Sequence, residues 1–137
     1  MIRVVLDTNI IVSAYLNEDG VPHSILRLAL ARAIRLYVSR PVLAEYEELL
    51  FRKSCPLDRR RAKLLLKEIQ AIGIMVSPAA SEPLTSDPDD SIFLECAQAA
   101  KADYLVTGNT RHFPETWKYT QIVTPRQFID RWGRHAR

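Results

Sequence analysis

The sequence predicts an α/β protein whose central parallel β-sheet of four to five strands is covered by helices on both faces. Short apolar runs rich in β-branched residues recur along the chain, beginning with residues 2–6. Longer segments in which apolar residues return at helical spacing separate these runs. Strands that alternate with helices are typical of a parallel sheet in a three-layer α/β/α arrangement.

Local signals set the expected bounds of each element. Ser39 with Pro41 is typical of a helix start, Asp58 is expected to cap the next helix, and Gly73 to end it. The strands are expected at residues 2–6, 36–38, 74–76, 102–107 and about 121–123. The helices are expected over 10–16, from Pro22 toward 34, from 39, from 58, over 87–100 and over 125–132, with a loop at 77–88 and an irregular piece at 110–118.

Composition favours a single domain over residues 1–137. The chain is 47% hydrophobic, and no Pro/Gly/Ser-rich linker divides it. No apolar stretch approaches the roughly 18 residues of a membrane span, and no signal peptide is recognisable, so a cytoplasmic location without membrane contact is expected. Two cysteines, Cys55 and Cys96, are too few for a disulfide framework and lack the spacing of a zinc site.

The formal charge of +3 is unevenly distributed. Basic residues cluster at 52–63 and again at 126–137, while the acidic residues cluster elsewhere. This separation of charge is typical of a protein that binds a polyanionic backbone on one surface and binds cations in an acidic pocket. A solvated helix face explains the cluster at 52–63 equally well.

Polar residues end two of the predicted strands. Asp7 follows the first strand, and Asn109 follows the strand at 102–107. Because the carboxyl ends of parallel strands share one edge of a sheet, we expect both side chains there. Asp7 alone could be a helix cap, but an acid that ends a fully apolar strand is costly unless it is paired or bound.

Further acids fall near the starts of helices that return to this edge. Glu45 and Glu47 flank the apolar side of their helix, and periodicity does not choose between them, although Glu45 is nearer the helix start. Asp87, Asp89 and Asp90 could do no more than stabilise the N-terminus of their helix, where negative charge is favourable. Asp89 and Asp90, however, fall toward the apolar side of this helix. Converging carboxylates would repel one another without a cation, and such oxygen ligands favour Mg²⁺ or Mn²⁺.

Four segments together resemble the PIN-domain family, and more narrowly the toxin components of toxin–antitoxin pairs. They are Leu6-Asp7-Thr8-Asn9, Leu43-Ala44-Glu45-Tyr46, Asp87-Pro88-Asp89-Asp90 with Leu94-Glu95-Cys96-Ala97, and residues 102–109. The resemblance covers almost the whole chain and preserves the order and spacing of the motifs.

The resemblance implies a Mg²⁺- or Mn²⁺-dependent endoribonuclease that acts on RNA, forms a homodimer and is silenced by a small antitoxin protein. It places the family's first three acids, the expected metal ligands, at Asp7, Glu45 and Asp90. The fourth catalytic position, usually an aspartate, is Asn109. Arg40, Arg52, Lys53 and Arg111 are candidates for contact with the RNA backbone.

Two other readings remain open from the residues. A PIN-like module that binds RNA or protein without cutting is supported by Asn109. A Mg²⁺-dependent phosphatase or a receiver domain also places aspartate at strand tips, but the first expects Asp-x-Asp where this chain has Asp7-Thr8-Asn9. The second expects a lysine where this chain ends a late strand in Thr-Gly-Asn.

Overall fold

The computed structural model describes residues 1–79 and 88–135, without the side chains of Pro88, Asp89 and His135. This part of the chain forms one sheet of six strands, six α-helices and a 3₁₀ turn. The strands are β1 (Arg3–Leu6), β2 (Arg35–Val38), β3 (Ile74–Met75), β4 (Tyr104–Val106), β5 (Thr116–Trp117) and β6 (Thr120–Val123). The helices are α1 (Thr8–Leu16), α2 (Val21–Leu30), α3 (Arg40–Leu50), α4 (Arg59–Ile72), α5 (Pro88–Ala100) and α6 (Pro125–His135), and the 3₁₀ turn is Thr110–His112.

The sheet has the strand order β3-β2-β1-β4-β6-β5, and all neighbours are parallel except β5 and β6. The chain moves from β1 to β2 and β3 in one direction, and then crosses over to β4 and β6 on the other side of β1. Because crossovers are right-handed, this reversal places α1 and α2 on one face and α5 on the other. Helix α5 packs against β1, β2 and β4, while α6 packs against α2, β4 and β6. The predicted three-layer architecture is therefore confirmed.

Strand β1 lies at the centre of the sheet, where pairing with β2 and β4 satisfies its backbone. Val4, Val5 and Leu6 are fully buried, which is why this strand is an uninterrupted apolar run in the sequence. The strand order reverses between β1 and β4. In open α/β sheets, such a reversal opens a crevice at the carboxyl ends of the strands.

Helix starts follow the capping signals in the sequence. The Ser39 hydroxyl accepts a hydrogen bond from the Val42 N–H (3.3 Å), and the Asp58 carboxylate accepts one from the Arg61 N–H (2.8 Å). The cap expected at Asp87 and most of the expected loop at 77–88 lie outside the described residues.

Three details differ from the sequence prediction. The sheet has a sixth strand, β5, which lies within the piece expected to be irregular. It pairs antiparallel with β6. Helix α2 ends at Leu30 rather than near residue 34, and Arg32 adopts a left-handed φ of 60° in the turn that leads to β2. Helix α1 begins at Thr8 instead of Ile10, because Asp7 caps it.

No helix in the described ranges combines the length and the apolar character needed to cross a membrane.

Candidate functional site

Asp7 occupies the carboxyl end of β1, at the reversal of strand order. Its backbone N–H donates to the Val106 carbonyl (2.9 Å), so the residue is fixed beside the end of β4. Its carboxylate accepts hydrogen bonds at both oxygens, from the Thr8 N–H at Oδ1 (2.7 Å) and from the Thr107 hydroxyl at Oδ2 (2.7 Å). Asp7 is thus a helix cap and a rigidly held, half-buried carboxylate at the same time.

Burial raises the pKa of the Asp7 carboxyl above its usual value. The hydrogen bonds from Thr107 and Thr8, together with the charge of His112, offset part of this rise. The structure therefore holds a negative charge partly away from water. A cation beside Asp7 would stabilise that charge.

Tyr46 ties this strand end to α3 and α5. Its hydroxyl donates to the Leu6 carbonyl, one residue before Asp7, and its ring lies 6.5 Å from that of Phe93. Burial is the main cause that raises the pKa of the Tyr46 phenol, and the nearby Cys96 and Asp7 add to it. No contact of Tyr46 was predicted from the sequence, in which it was named only as part of the segment Leu43-Ala44-Glu45-Tyr46. A buried tyrosine needs a hydrogen-bond partner, and that requirement was the signal that could have revealed the link.

Glu45 and Asp90 lie on the two helices that Tyr46 and Phe93 join. Glu45 directly precedes Tyr46 on α3 and is half-buried, whereas Glu47 is exposed. Asp90 is in the first turn of α5, three residues before Phe93 and half-buried. Residues three apart share a helix face, so Asp90 lies on the side of α5 that meets α3.

Asn109 follows β4 and is exposed. Its backbone N–H donates to the Thr107 hydroxyl oxygen (3.0 Å), the same group that donates to Asp7. Its side chain makes no capping hydrogen bond to the 3₁₀ turn that it precedes. The structure therefore links Asn109 to Asp7 through Thr107, whose hydroxyl orients the Asp7 carboxylate.

The donor types around Asp7 fit a hard cation. Carboxylate oxygens are ligands that Mg²⁺ and Mn²⁺ prefer, and the Thr8 hydroxyl beside Asp7 is buried without a hydrogen-bond partner in the described residues. The described residues contain no group of three or more His, Cys, Asp or Glu side chains arranged to hold a metal ion. It stays a prediction that the carboxylates of Asp7, Glu45 and Asp90 together bind the ion.

The candidate RNA-contact residues are dispersed. Arg40 is exposed at the first position of α3, and Lys53 is exposed beyond its end. Arg52 is paired with Glu48 (2.6 Å), and both side chains are more than half exposed. Arg111 lies in the 3₁₀ turn, two residues after Asn109. Arg40 and Arg111 therefore both follow strand ends at the carboxyl edge of the sheet, whereas Arg52 and Lys53 lie beyond the other end of α3.

Fold and site together define a three-layer α/β protein with a half-buried aspartate at the reversal point of its sheet. The chain belongs to the PIN-domain family, because the family model described as PIN domain matches residues 3–111. PIN domains are generally nucleases.

Two comparisons with individual proteins extend over nearly the whole chain. Uncharacterized protein MJ1680 of Methanocaldococcus jannaschii is 26% identical over 144 aligned residues, covering 94% of this chain and 90% of that protein. A chain in the crystal structure of VapBC2 from Rickettsia felis bound to a DNA fragment from their promoter superposes with a TM-score of 0.64. It is 20% identical, and the match covers 90% of this chain and 98% of that one, which shows that the fold is shared.

Proposed function

We propose that this PIN domain is a Mg²⁺- or Mn²⁺-dependent endoribonuclease that acts as the toxin of a toxin–antitoxin pair. The observation that carries the proposal is the Asp7 carboxylate, half-buried at the end of β1 and held at both oxygens by Thr8 and Thr107. A helix-capping role explains only the bond from the Thr8 N–H. The bond from the Thr107 hydroxyl, which directly follows β4, is not needed for capping.

The proposed ligands of the ion are the carboxylates of Asp7, Glu45 and Asp90. When bound, such an ion lowers the pKa of a water molecule and neutralises charge on a phosphoryl group. Thr107 and Thr8 orient Asp7, and each carboxylate oxygen retains a lone pair beyond the bond it accepts. Asn109, which is neutral, would position water or a phosphate oxygen.

Cleavage assays test the activity directly. Purified protein is incubated with structured and single-stranded RNAs in the presence of Mg²⁺, Mn²⁺ or EDTA, beside the Asp7→Asn variant. We expect cleavage that requires the metal and that Asp7→Asn lacks. Asp19→Asn is a matched control, because Asp19 is exposed in the turn between α1 and α2. Cleavage by Asp7→Asn equal to that of the unmodified protein would refute the proposal.

The proposal includes a cytoplasmic location, a homodimer and a cognate antitoxin. The fold shared with a chain of the VapBC2 complex supports the antitoxin partner. Light scattering on the purified protein measures the oligomeric state, and a monomeric mass at working concentration would contradict the dimer.

Asn109 favours a second candidate, a PIN-like module that binds RNA or protein without cutting. An amide at this position removes one negative charge from the pocket. Asn109→Asp separates the two functions. Cleavage gained only in Asn109→Asp would favour the non-catalytic module, whereas cleavage already present in the unmodified protein would favour the nuclease.

A further inference from the structure

A polar groove lies between the 3₁₀ turn, β6 and the start of α6. It encloses about 490 Å³, within the range of small-ligand pockets. Its lining includes two cationic side chains, one acidic and two neutral polar ones: Arg111, Arg131, Glu115, Gln121 and Gln127. The groove begins at Thr110 and Arg111, immediately after Asn109, so it opens beside the carboxyl edge of the sheet.

Arg131 is held in this groove by uncharged partners. Its Nη1 donates to Oε1 of Gln121 (2.9 Å), and its guanidinium lies 5.7 Å from the centre of the Tyr104 ring. The Tyr104 ring is itself fixed edge-on against Phe128, at 5.5 Å between ring centroids. The arginine has therefore lost much of its conformational freedom before any ligand arrives.

Neither arginine of the groove, Arg111 or Arg131, is paired with a carboxylate among the described residues, although Glu115 lines the same groove. A guanidinium carries five N–H donors, and in Arg131 only the Nη1 group donates to Gln121. Its remaining donors are suited to a phosphate oxygen.

We infer that this groove is a subsite for an unpaired nucleotide of the RNA substrate next to the cleaved bond, and that Arg111 and Arg131 bind its phosphate. Glu115 and Gln121 supply polar groups of the kind that read the edge of an unstacked base. The inference rests on the proposed function for the identity of the polymer. It adds a surface that the acidic residues do not provide.

Gln127 offers a variant that changes the groove without weakening the fold. Thr124 and Gln127 cap α6 reciprocally: the Thr124 N–H donates to Oε1 of Gln127 (3.0 Å), and the Gln127 N–H donates to the Thr124 hydroxyl (3.1 Å). Glutamate serves equally well at this position of a capping box. Gln127→Glu therefore keeps the cap and adds a negative charge that repels phosphate.

The test is binding of a short fluorescent single-stranded RNA, measured at several salt concentrations in the Asp7→Asn background so that the RNA stays intact. We expect Gln127→Glu to weaken binding several-fold and Arg131→Gln to weaken it about tenfold. Arg131→Gln should also lower the slope of log affinity against log salt by about 0.7, the value for one phosphate contact on a single strand.

Matched controls lie at the other end of the sheet. Gln70→Glu makes the same charge change on an exposed position of α4, and Arg35→Gln removes an exposed arginine at the start of β2. Both should bind RNA like the parent protein. The cap is intact if Gln127→Glu unfolds at the same temperature as the parent protein or at a higher one.

Each outcome separates this inference from the proposed nuclease. If the unmodified protein cuts RNA but the groove variants bind RNA like the controls, the subsite is refuted and the nuclease stands. If binding depends on the groove but no metal supports cleavage, the subsite stands and the nuclease is refuted. Absence of RNA binding by the parent protein at low salt refutes the subsite.

Discussion

The Thr107 hydroxyl donates a hydrogen bond of 2.7 Å to Oδ2 of Asp7, across the boundary between the central strands β1 and β4. The same hydroxyl oxygen accepts the Asn109 N–H. One fully buried threonine therefore holds both strand-end residues that the sequence marked as site candidates. Four predictions follow from the surroundings of Asp7 and from the buried core.

Replacing Thr107 by valine keeps the shape of the side chain and removes the bond to the carboxylate. Hydrogen bonds to charged groups contribute about 1.5–3 kcal/mol, so we expect a loss of this order in the free energy of unfolding near neutral pH. The Thr107 bond lowers the pKa of Asp7, and its contribution is therefore lost as the pH falls and the carboxylate is protonated. Denaturant titrations over a pH series measure this, with Thr107→Ser as control. Equal losses for serine and valine would contradict the role of the hydroxyl.

Replacing Asp7 by asparagine removes the charge but also one of the two acceptor oxygens, so the informative quantity is how its stability relative to the unmodified protein changes with pH in EDTA. Because burial raises the folded-state pKa of Asp7, the ionised carboxylate costs stability above that pKa, and the cost vanishes below the unfolded-state value. The advantage of Asp7→Asn should thus appear as the pH rises through this window. Asp19→Asn, at an exposed position in the turn between α1 and α2, is the control for loss of a carboxylate. A stability of Asp7→Asn relative to the unmodified protein that does not rise with pH would refute this electrostatic account.

Replacing Tyr46 by phenylalanine removes the donor that satisfies the buried Leu6 carbonyl. We expect a loss of about 1–2 kcal/mol in the free energy of unfolding. Tyr119→Phe is the matched control, since Tyr119 is 80% exposed and should change stability little. Calorimetry of the two variants side by side decides the question, and similar unfolding temperatures for both would contradict a structural role for the Tyr46 hydroxyl.

The two free cysteines should differ in reactivity. Cys96 is fully buried, and burial raises the pKa of its thiol to about 12, so almost none of it is thiolate at pH 8. Cys55 is only half-buried. A thiol reagent should therefore modify Cys55 quickly in the native protein and Cys96 only after unfolding. Fast modification of native Cys55→Ser would show that Cys96 is accessible.

Much of the fold follows from signals that are local in the chain. The buried run at Val4–Leu6, the caps at Ser39 and Asp58, and the apolar spacing of the helices predicted the three layers and the parallel sheet. Strand β5 has two residues and pairs only with β6, which is too short for a periodic pattern. The left-handed turn at Arg32 likewise leaves no local signal, because arginine does not favour a positive φ.

The candidate site was predictable in position and less so in its contacts. Asp7 and Asn109 were placed at one sheet edge because parallel strands end there. Glu45 could not be chosen over Glu47 from periodicity, since both flank the apolar stripe, and only the packed structure shows Glu45 half-buried and Glu47 exposed. The bond from Tyr46 to Leu6 joins residues 40 positions apart, a distance that no local pattern encodes.

Strand β1 precedes its partner β4 and the Thr107 hydroxyl by about 100 residues in the chain. A chain that is still growing on the ribosome therefore contains Asp7 but not the strand that orients it. The centre of the sheet closes only after β4 has emerged and paired, because the β1–β4 ladder has no local substitute. The orientation of the Asp7 carboxylate is thus a late event in the folding of this domain, because it depends on a hydroxyl 100 positions further along the chain.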